Sequence, residues 1–308
     1  MLPKSAAARS ANSPPYDLVL VTGSSVIGVD IGGTKMLAGV VDQNGEVVAT
    51  REVRTPTASQ EELVAALVEL VEGLRSSEVT AVGFAVPGHV DSSGVAFGAN
   101  NLPLVELSVP TVFGERLGLP VAVANDANAA ALAEFRLGAG RGTRDLIMLT
   151  LGTGVGGGVI IDGRPFDRPL EVGHIVIVAD GEPCIGICTG RGHVEAYCSG
   201  SAADRVAARE LGAGATARDL VERHHPALEQ ISRYLAAAIA TLVNLFDPEI
   251  VVVGGGFGLA AGELLLGPAR AIVAREAVPG TRPVRIETSE LGESAGMIGA
   301  ALVALEAT

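Results

Sequence analysis

Two segments of this 308-residue chain, 120 positions apart, repeat one order: apolar strand, glycine-rich tip, strand, Asp-containing turn. Residues 26–31 (VIGVDI) run into Gly32, Gly33, Thr34 and Lys35, return over 36–41, and turn again at 42–45 (DQNG). Residues 146–151 (LIMLTL) run into the glycine-rich 152–158, return over 159–161 and turn at Asp162-Gly163. At that offset Gly32 falls on Gly152, Val40 on Ile160, Val41 on Ile161 and Asp42 on Asp162. Short apolar runs closed by glycines are strands that must reverse. The pattern therefore predicts a duplicated architecture, two related α/β halves facing one another; chance likeness of two glycine-rich hairpins is the competing reading.

The remaining patterning fills in both halves. A strand is expected over 46–54, and Leu63, Leu67, Leu70, Val71 and Leu74 recur at helical spacing within 60–74. Residues 79–86 read as a buried strand ending at Pro87-Gly88, 120–125 as another, and 127–137 as a helix starting just after Asp126. A long apolar helix follows over 228–246, a strand over 249–253, and a small-residue closing helix over 294–305. Boundaries are drawn at 26–135 for the first domain, joined by 294–308, and 136–293 for the second, which carries loop 171–195.

Hydrophobic residues make up 48% and charged ones 19%, as in a globular chain. A net charge of −13 speaks against nucleic acid, which wants a basic stripe. It leaves phosphate binding open, because backbone N–H groups cradle anions without a basic surface. No apolar run reaches the roughly 18 residues of a membrane helix. Residues 1–25 hold no signal-peptide core and are read as a disordered extension or a misassigned start. Three cysteines without a disulfide framework fit a reducing, cytoplasmic setting.

The densest chemistry lies in 171–195 (EVGHIVIVADGEPCIGICTGRGHVE). His174, Cys184, Cys188 and His193 make a complete Cys₂His₂ set for a tetrahedral Zn²⁺, structural because no position stays open. Glu171 and Glu195 bracket it, where they can face a polar ligand. A metal-free loop is the alternative. Cys198 could substitute for His193 but, lying beyond Glu195 on what should be the next helix, reads as a small buried residue, and His89, His224 and His225 read as surface or loop histidines.

Glycines at a hairpin tip let N–H groups approach a phosphate, so 32–35 and Gly152, Thr153, Gly154 and Gly156 suggest a polyphosphate clamped across a cleft. Asp30 can hold a Mg²⁺-bound water; the plain alternative is a tight turn needing positive φ. Gly254 and Gly255, after a buried strand, can let an adenosine lie against backbone. Asp126, within Asn125-Asp126-Ala127-Asn128 at a strand-to-helix junction, can cap the helix or accept a hydroxyl proton in phosphoryl transfer to an alcohol.

In this order the segments resemble the ROK family (repressors, open reading frames, kinases), especially its bacterial glucokinases. The likeness is carried by VDIGGTK within 28–35, GFAVPGHVD at 83–91, NLP at 101–103, NDANAAALAEFRLGAGRG at 125–142, LGTGVGGG at 151–158, EVGH at 171–174 and the cysteine loop through Glu195. The resemblance implies an actin- and hexokinase-type pair of ribonuclease-H-like domains with ATP and sugar between them. It implies Asp126 as the base on the sugar's 6-hydroxyl and Asn125 beside it. Glu171, His174 and Glu195 would hold the O1–O3 edge, and Gly88 with Asn100 or Asn101 the remaining hydroxyls. Thr34, Lys35 and 152–158 match the phosphate loops, with Mg²⁺ arriving on ATP, and a homodimer or homotetramer is implied.

The departure is in the cysteine loop. The family's run is C-x-C-G-x-x-G-C-x-E, whereas here three residues separate Cys184 from Cys188 and His193 stands at the usual third cysteine. The expected activity is ATP-dependent phosphorylation of glucose. Mannose, fructose, N-acetylmannosamine or N-acetylglucosamine are alternative acceptors and polyphosphate an alternative donor. A sugar-sensing regulator and a structural zinc protein are the rivals from other classes.

Overall fold

A computed structural model describes residues 24–97, 102–166, 168, 170–186, 188–278 and 283–307. Asn100 and Asn101, and 1–23 of the expected N-terminal extension, lie outside the described residues. The chain opens with β1 (Ser25–Ile31), β2 (Lys35–Val41), β3 (Val47–Arg54), α1 (Gln60–Glu72) and β4 (Val79–Val86). A small meander of β5 (His89–Val90), β6 (Val95–Phe97) and β7 (Glu106–Ser108) leads to α2 (Val109–Leu117), β8 (Val121–Asn125) and α3 (Asp126–Leu137). The second half begins with β9 (Leu146–Leu151), β10 (Val155–Ile161) and β11 (Arg164–Pro165). Then come α4 (Glu195–Cys198), α5 (Gly200–Leu211), α6 (Ala217–Glu222), α7 (Ala227–Phe246), β12 (Ile250–Gly254), α8 (Gly256–Ala261), α9 (Glu263–Glu276), β13 (Arg285–Thr288) and α10 (Ala295–Glu306).

The duplication holds strand by strand. One sheet runs β3-β2-β1-β4-β8 and the other β11-β10-β9-β12-β13, each with two antiparallel pairings followed by two parallel ones. The offset of 120 fits β1 and β9 but slips to 119 in the return strands, because Ile31 pairs with Met36 across a longer tip than Leu151 with Val155. Val40, opposite Ile27, thus corresponds to Val159, opposite Ile147, rather than to Ile160.

The glycines of 152–158 are a second correction. Only 152–154 form the tip, while Gly156, Gly157 and Gly158 lie inside β10. A Cβ on Gly158 would meet the Ala127 carbonyl at 2.7 Å, and one on Gly157 the Met148 carbonyl at 2.8 Å. These glycines let α3 and Val172 close onto the strand from its two faces.

Helix boundaries follow local chemistry. Ser59 caps α1 through Glu62 N at 3.1 Å, and Leu63, Val64, Leu67, Leu70 and Val71 turn its apolar stripe onto the first sheet. The twenty residues of α7 bury Leu228, Ile231, Leu235, Ile239, Leu242 and Val243 against the second. Pro268 inside α9 hides that helix from a reading of the sequence.

Between the sheets lies a crossed pair of helices. A Cβ on Gly28 or Gly83 would strike the carbonyl of Met297 or Ala300, so α10 sits directly on β1 and β4. On Gly299 it would strike Ala129, so α10 also touches α3 backbone to backbone. Helix α3, grouped by sequence with the first half, sends Ala130 and Ala131 to the second sheet and Leu132 and Ala133 toward Val26 and Val41 of the first.

Candidate active site

Strands β1, β4 and β8 run parallel to one another, as do β9 and β12, and their carboxyl ends carry the candidate residues. Ligands of parallel sheets bind just outside such ends. Asn125 closes β8 and caps α3, its Oδ1 accepting from Ala127 N at 3.0 Å and Asn128 N at 3.1 Å. Its Nδ2 donates to the Gly88 carbonyl at 2.9 Å, which ties Gly88 to the start of α3.

Asp126, the next residue, accepts from Ala127 N at 2.8 Å. Burial raises its carboxyl above the ordinary range; hydrogen bonds from the Ala127 backbone and the Asn125 side chain oppose that rise, and the Glu171 charge adds to it. Asp30 stands beside it. Burial, and then the Asp126 charge, push Asp30 up to about 7, with Lys35 pulling the other way. A Cβ on Gly296 would lie 2.7 Å from Asp30 Oδ2, so Asp30 is held at the first turn of α10.

The two tips differ. Gly32 N bonds the Lys35 carbonyl at 3.0 Å, and Thr55 fastens the tip through its hydroxyl to Gly32 O (2.6 Å) and its N–H to Thr34 O (3.0 Å). Gly33 and Thr34 are exposed. Lys35 reaches two carboxylates, Glu52 at 2.9 Å and Glu293 at 2.7 Å, which raise its pKa. Neither glutamate is marked by any motif, because both meet Lys35 only through the fold. In the second tip Gly152 faces open space and Thr153 is exposed, while Gly154 abuts Glu195. Gly156 is filled by packing on Thr150 and Ala127, and Gly254 by packing on Met148 and Ser289. Gly255 takes φ +77° where a Cβ would press on Leu151 backbone at 2.6 Å.

The cysteine loop meets the second tip through Glu195. One oxygen accepts from Val155 N at 2.9 Å, and the other lies 3.7 Å from Cys184 Sγ. Backbone bonds shape the loop: Cys184 N to Gly190 O (2.9 Å), Gly192 N to Glu182 O (2.9 Å) and Ile177 N to Gly192 O (2.8 Å). They bring the ligand atoms of His174, Cys184, Cys188 and His193 within 4.8 Å of one another. Cys188 Sγ stands 3.6 Å from His193 Nδ1, near the roughly 3.5 Å edge of a tetrahedron built on Zn–S and Zn–N bonds. Among the described residues His174 Nδ1 is buried with no hydrogen-bond partner, and Glu171 Oε2 stands 3.4 Å away. Burial, Cys188 and the Glu195 charge push the Cys184 thiol up to about 11, a cost that a cation offsets. The donor set and the orphaned nitrogen fit a zinc ion. Cys198 is fully buried in the second core, outside the cluster.

A groove of about 690 Å³ between α7 and α9, bordered by Arg233, Asn244 and Arg275, contains none of these residues. Among the described residues, no helix is long and apolar enough to cross a membrane.

The duplicated sheets, with glycine tips and acidic residues at their parallel ends, define a two-domain α/β protein of the actin- and hexokinase-like type. The ROK family model matches residues 26–307, and the chain belongs to the ROK family. It is 38% identical to the glucokinase of Streptomyces coelicolor over 91% of this chain and 97% of that one. It is 34% identical to the N-acetylmannosamine kinase of Shigella flexneri over 91% and 98%. The structure of a ROK family glucokinase from Streptomyces griseus in complex with glucose and AMPPNP superposes with a TM-score of 0.80 at 36% identity, covering 92% of this chain and all of that one.

Proposed function

We propose that this chain is an ATP-dependent hexose kinase that phosphorylates the 6-hydroxyl of glucose. The observation that carries the reading is Asp126, a desolvated carboxyl at the start of α3 with Glu171 of the cysteine loop close enough to perturb it. A base of raised pKa at that junction accepts the hydroxyl proton as the oxygen attacks phosphorus. Asn125, held by Gly88, orients the sugar; Glu171, His174 and Glu195 bind its O1–O3 edge, and 100–101 the remaining hydroxyls. Gly32, Gly33, Thr34 and Lys35 face the triphosphate from one half, Gly152, Thr153 and Gly154 from the other, with Gly156 setting the strand behind them. Lys35 exchanges a carboxylate for phosphate when it binds. The adenosine lies by Gly254 and Gly255, where Gly256 opens onto free space.

Mg²⁺, bound with the triphosphate, neutralises its oxygens, and Asp30 is the carboxylate placed to hold a water of that ion. A zinc ion on His174, Cys184, Cys188 and His193 fixes the ring of His174 and, through the loop, the position of Glu195. We place the domain boundary at 135–136, with 294–308 joining the first half, and infer a homodimer or homotetramer, which sedimentation equilibrium decides.

The test is coupled ADP release over a panel of hexoses with ATP and with polyphosphate. Glucose with ATP should give the highest kcat/KM; no turnover on any hexose would remove the kinase reading. The likeness to an N-acetylmannosamine kinase makes that sugar the second acceptor to assay.

A further inference from the structure

Glu134 is fully buried, makes no ion pair among the described residues, and has no part in the chemistry above. It lies on α3 eight residues after Asp126, about 12 Å along the helix. Its Oε1 accepts from Ser289 Oγ at 2.5 Å and Leu291 N at 2.9 Å, its Oε2 from Ala139 N at 2.9 Å and Glu290 N at 3.3 Å. The Glu134 backbone carbonyl also accepts from Gly138 N and Gly140 N. Ala139 belongs to the segment leading from α3 into β9, and 289–291 to the segment leading from β13 into α10. These are the two stretches by which the chain passes between the sheets. One carboxylate therefore fastens both crossovers, and Arg141–Glu290 links the same two on the surface at 3.2 Å.

All four side-chain partners of Glu134 are donors, since Ser289 Oγ itself accepts from Gly292 N at 2.9 Å. Only an acceptor on both oxygens satisfies them; an amide would turn an NH₂ toward an N–H. A buried carboxyl is costly unless so satisfied, and a purely packing role would be met by the alanines around it. Asp126 stands at the other end of the helix.

We propose that Glu134 is a positioning residue for phosphoryl transfer: it pins both crossovers at one point, so that the halves close about the far end of α3 and Asp126 arrives in line with the phosphate tips. This rests on the kinase reading for its kinetic readout alone. In Glu134→Gln, the amides of Ala139, Glu290 and Leu291 should exchange at least tenfold faster while those of β9 and β12 are unchanged. Turnover per folded molecule should fall at least tenfold, with KM for glucose and ATP within threefold. A lower Tm with unchanged kcat, or unchanged exchange at those three amides, overturns the proposal. Should Glu134→Gln fail to fold, Ser289→Ala removes one donor alone and should move the same exchange rates and kcat about threefold; no change in either overturns it. Were the wild type inactive on every hexose, the exchange measurement would still decide the pivot while the kinase reading fell.

Discussion

Asp126 and Asp30 show how neighbouring carboxyls acquire different tasks from their surroundings. Both are desolvated, but Asp126 accepts backbone N–H bonds at a helix start, whereas Asp30 meets the charge of Asp126. Asp126→Ala should lose about 10²–10⁴ in kcat, the usual contribution of a general base, with glucose affinity by calorimetry kept within a few-fold. Asp30 carries a linkage prediction. Its folded-state pKa of about 7 exceeds the ordinary aspartate value of 3.8, so the folded chain holds a proton that the unfolded chain releases. That contribution is fully present below pH about 4 and is lost as pH rises through about 7. Thermal melts from pH 5 to 8 should show Asp30→Asn losing less Tm across that range than the wild type. The motif residues were legible because their types and order are unusual together. Glu134, and the partners of Lys35, were not: Ser289 and Glu134 are 155 positions apart, and nothing local records the contact.

At the level of elements, strands were legible where an apolar run met a turn, and ambiguous where glycines did two jobs. Gly156–Gly158 signal a loop by composition, yet they sit in β10 because α3 and Val172 need the room. The β5–β7 meander and the Pro-containing α9 lack a period long enough to announce them. The helix pair yields a direct test. Gly299→Ala puts a methyl against Ala129 backbone, an overpacking that should cost about 2–3 kcal/mol and lower Tm by about 3–5 °C. The cysteine loop yields another. Atomic absorption should find about one zinc per chain (four ligands, one ion), Cys184→Ser should lose it, and His193→Cys should retain it. Where zinc is lost, KM for glucose should rise, since His174 and Glu195 lose their fixed positions.

Across the whole molecule the two halves are copies in topology but not in use. The first tip brings a hydroxyl and an ammonium, the second only backbone and Thr153, and the cysteine loop exists in the second half alone. The joint between them is unusually bare: Gly28, Gly83, Gly158 and Gly299 let helices and strands meet through main chain, so relative motion there moves rigid surfaces rather than interlocked side chains. That joint also sets a schedule for synthesis. The first sheet is complete in sequence once β8 has been made, but the face over Gly28 and Gly83 belongs to α10, about 170 residues later. A chain lengthening from its N-terminus carries that sheet face uncovered until α10 has been made.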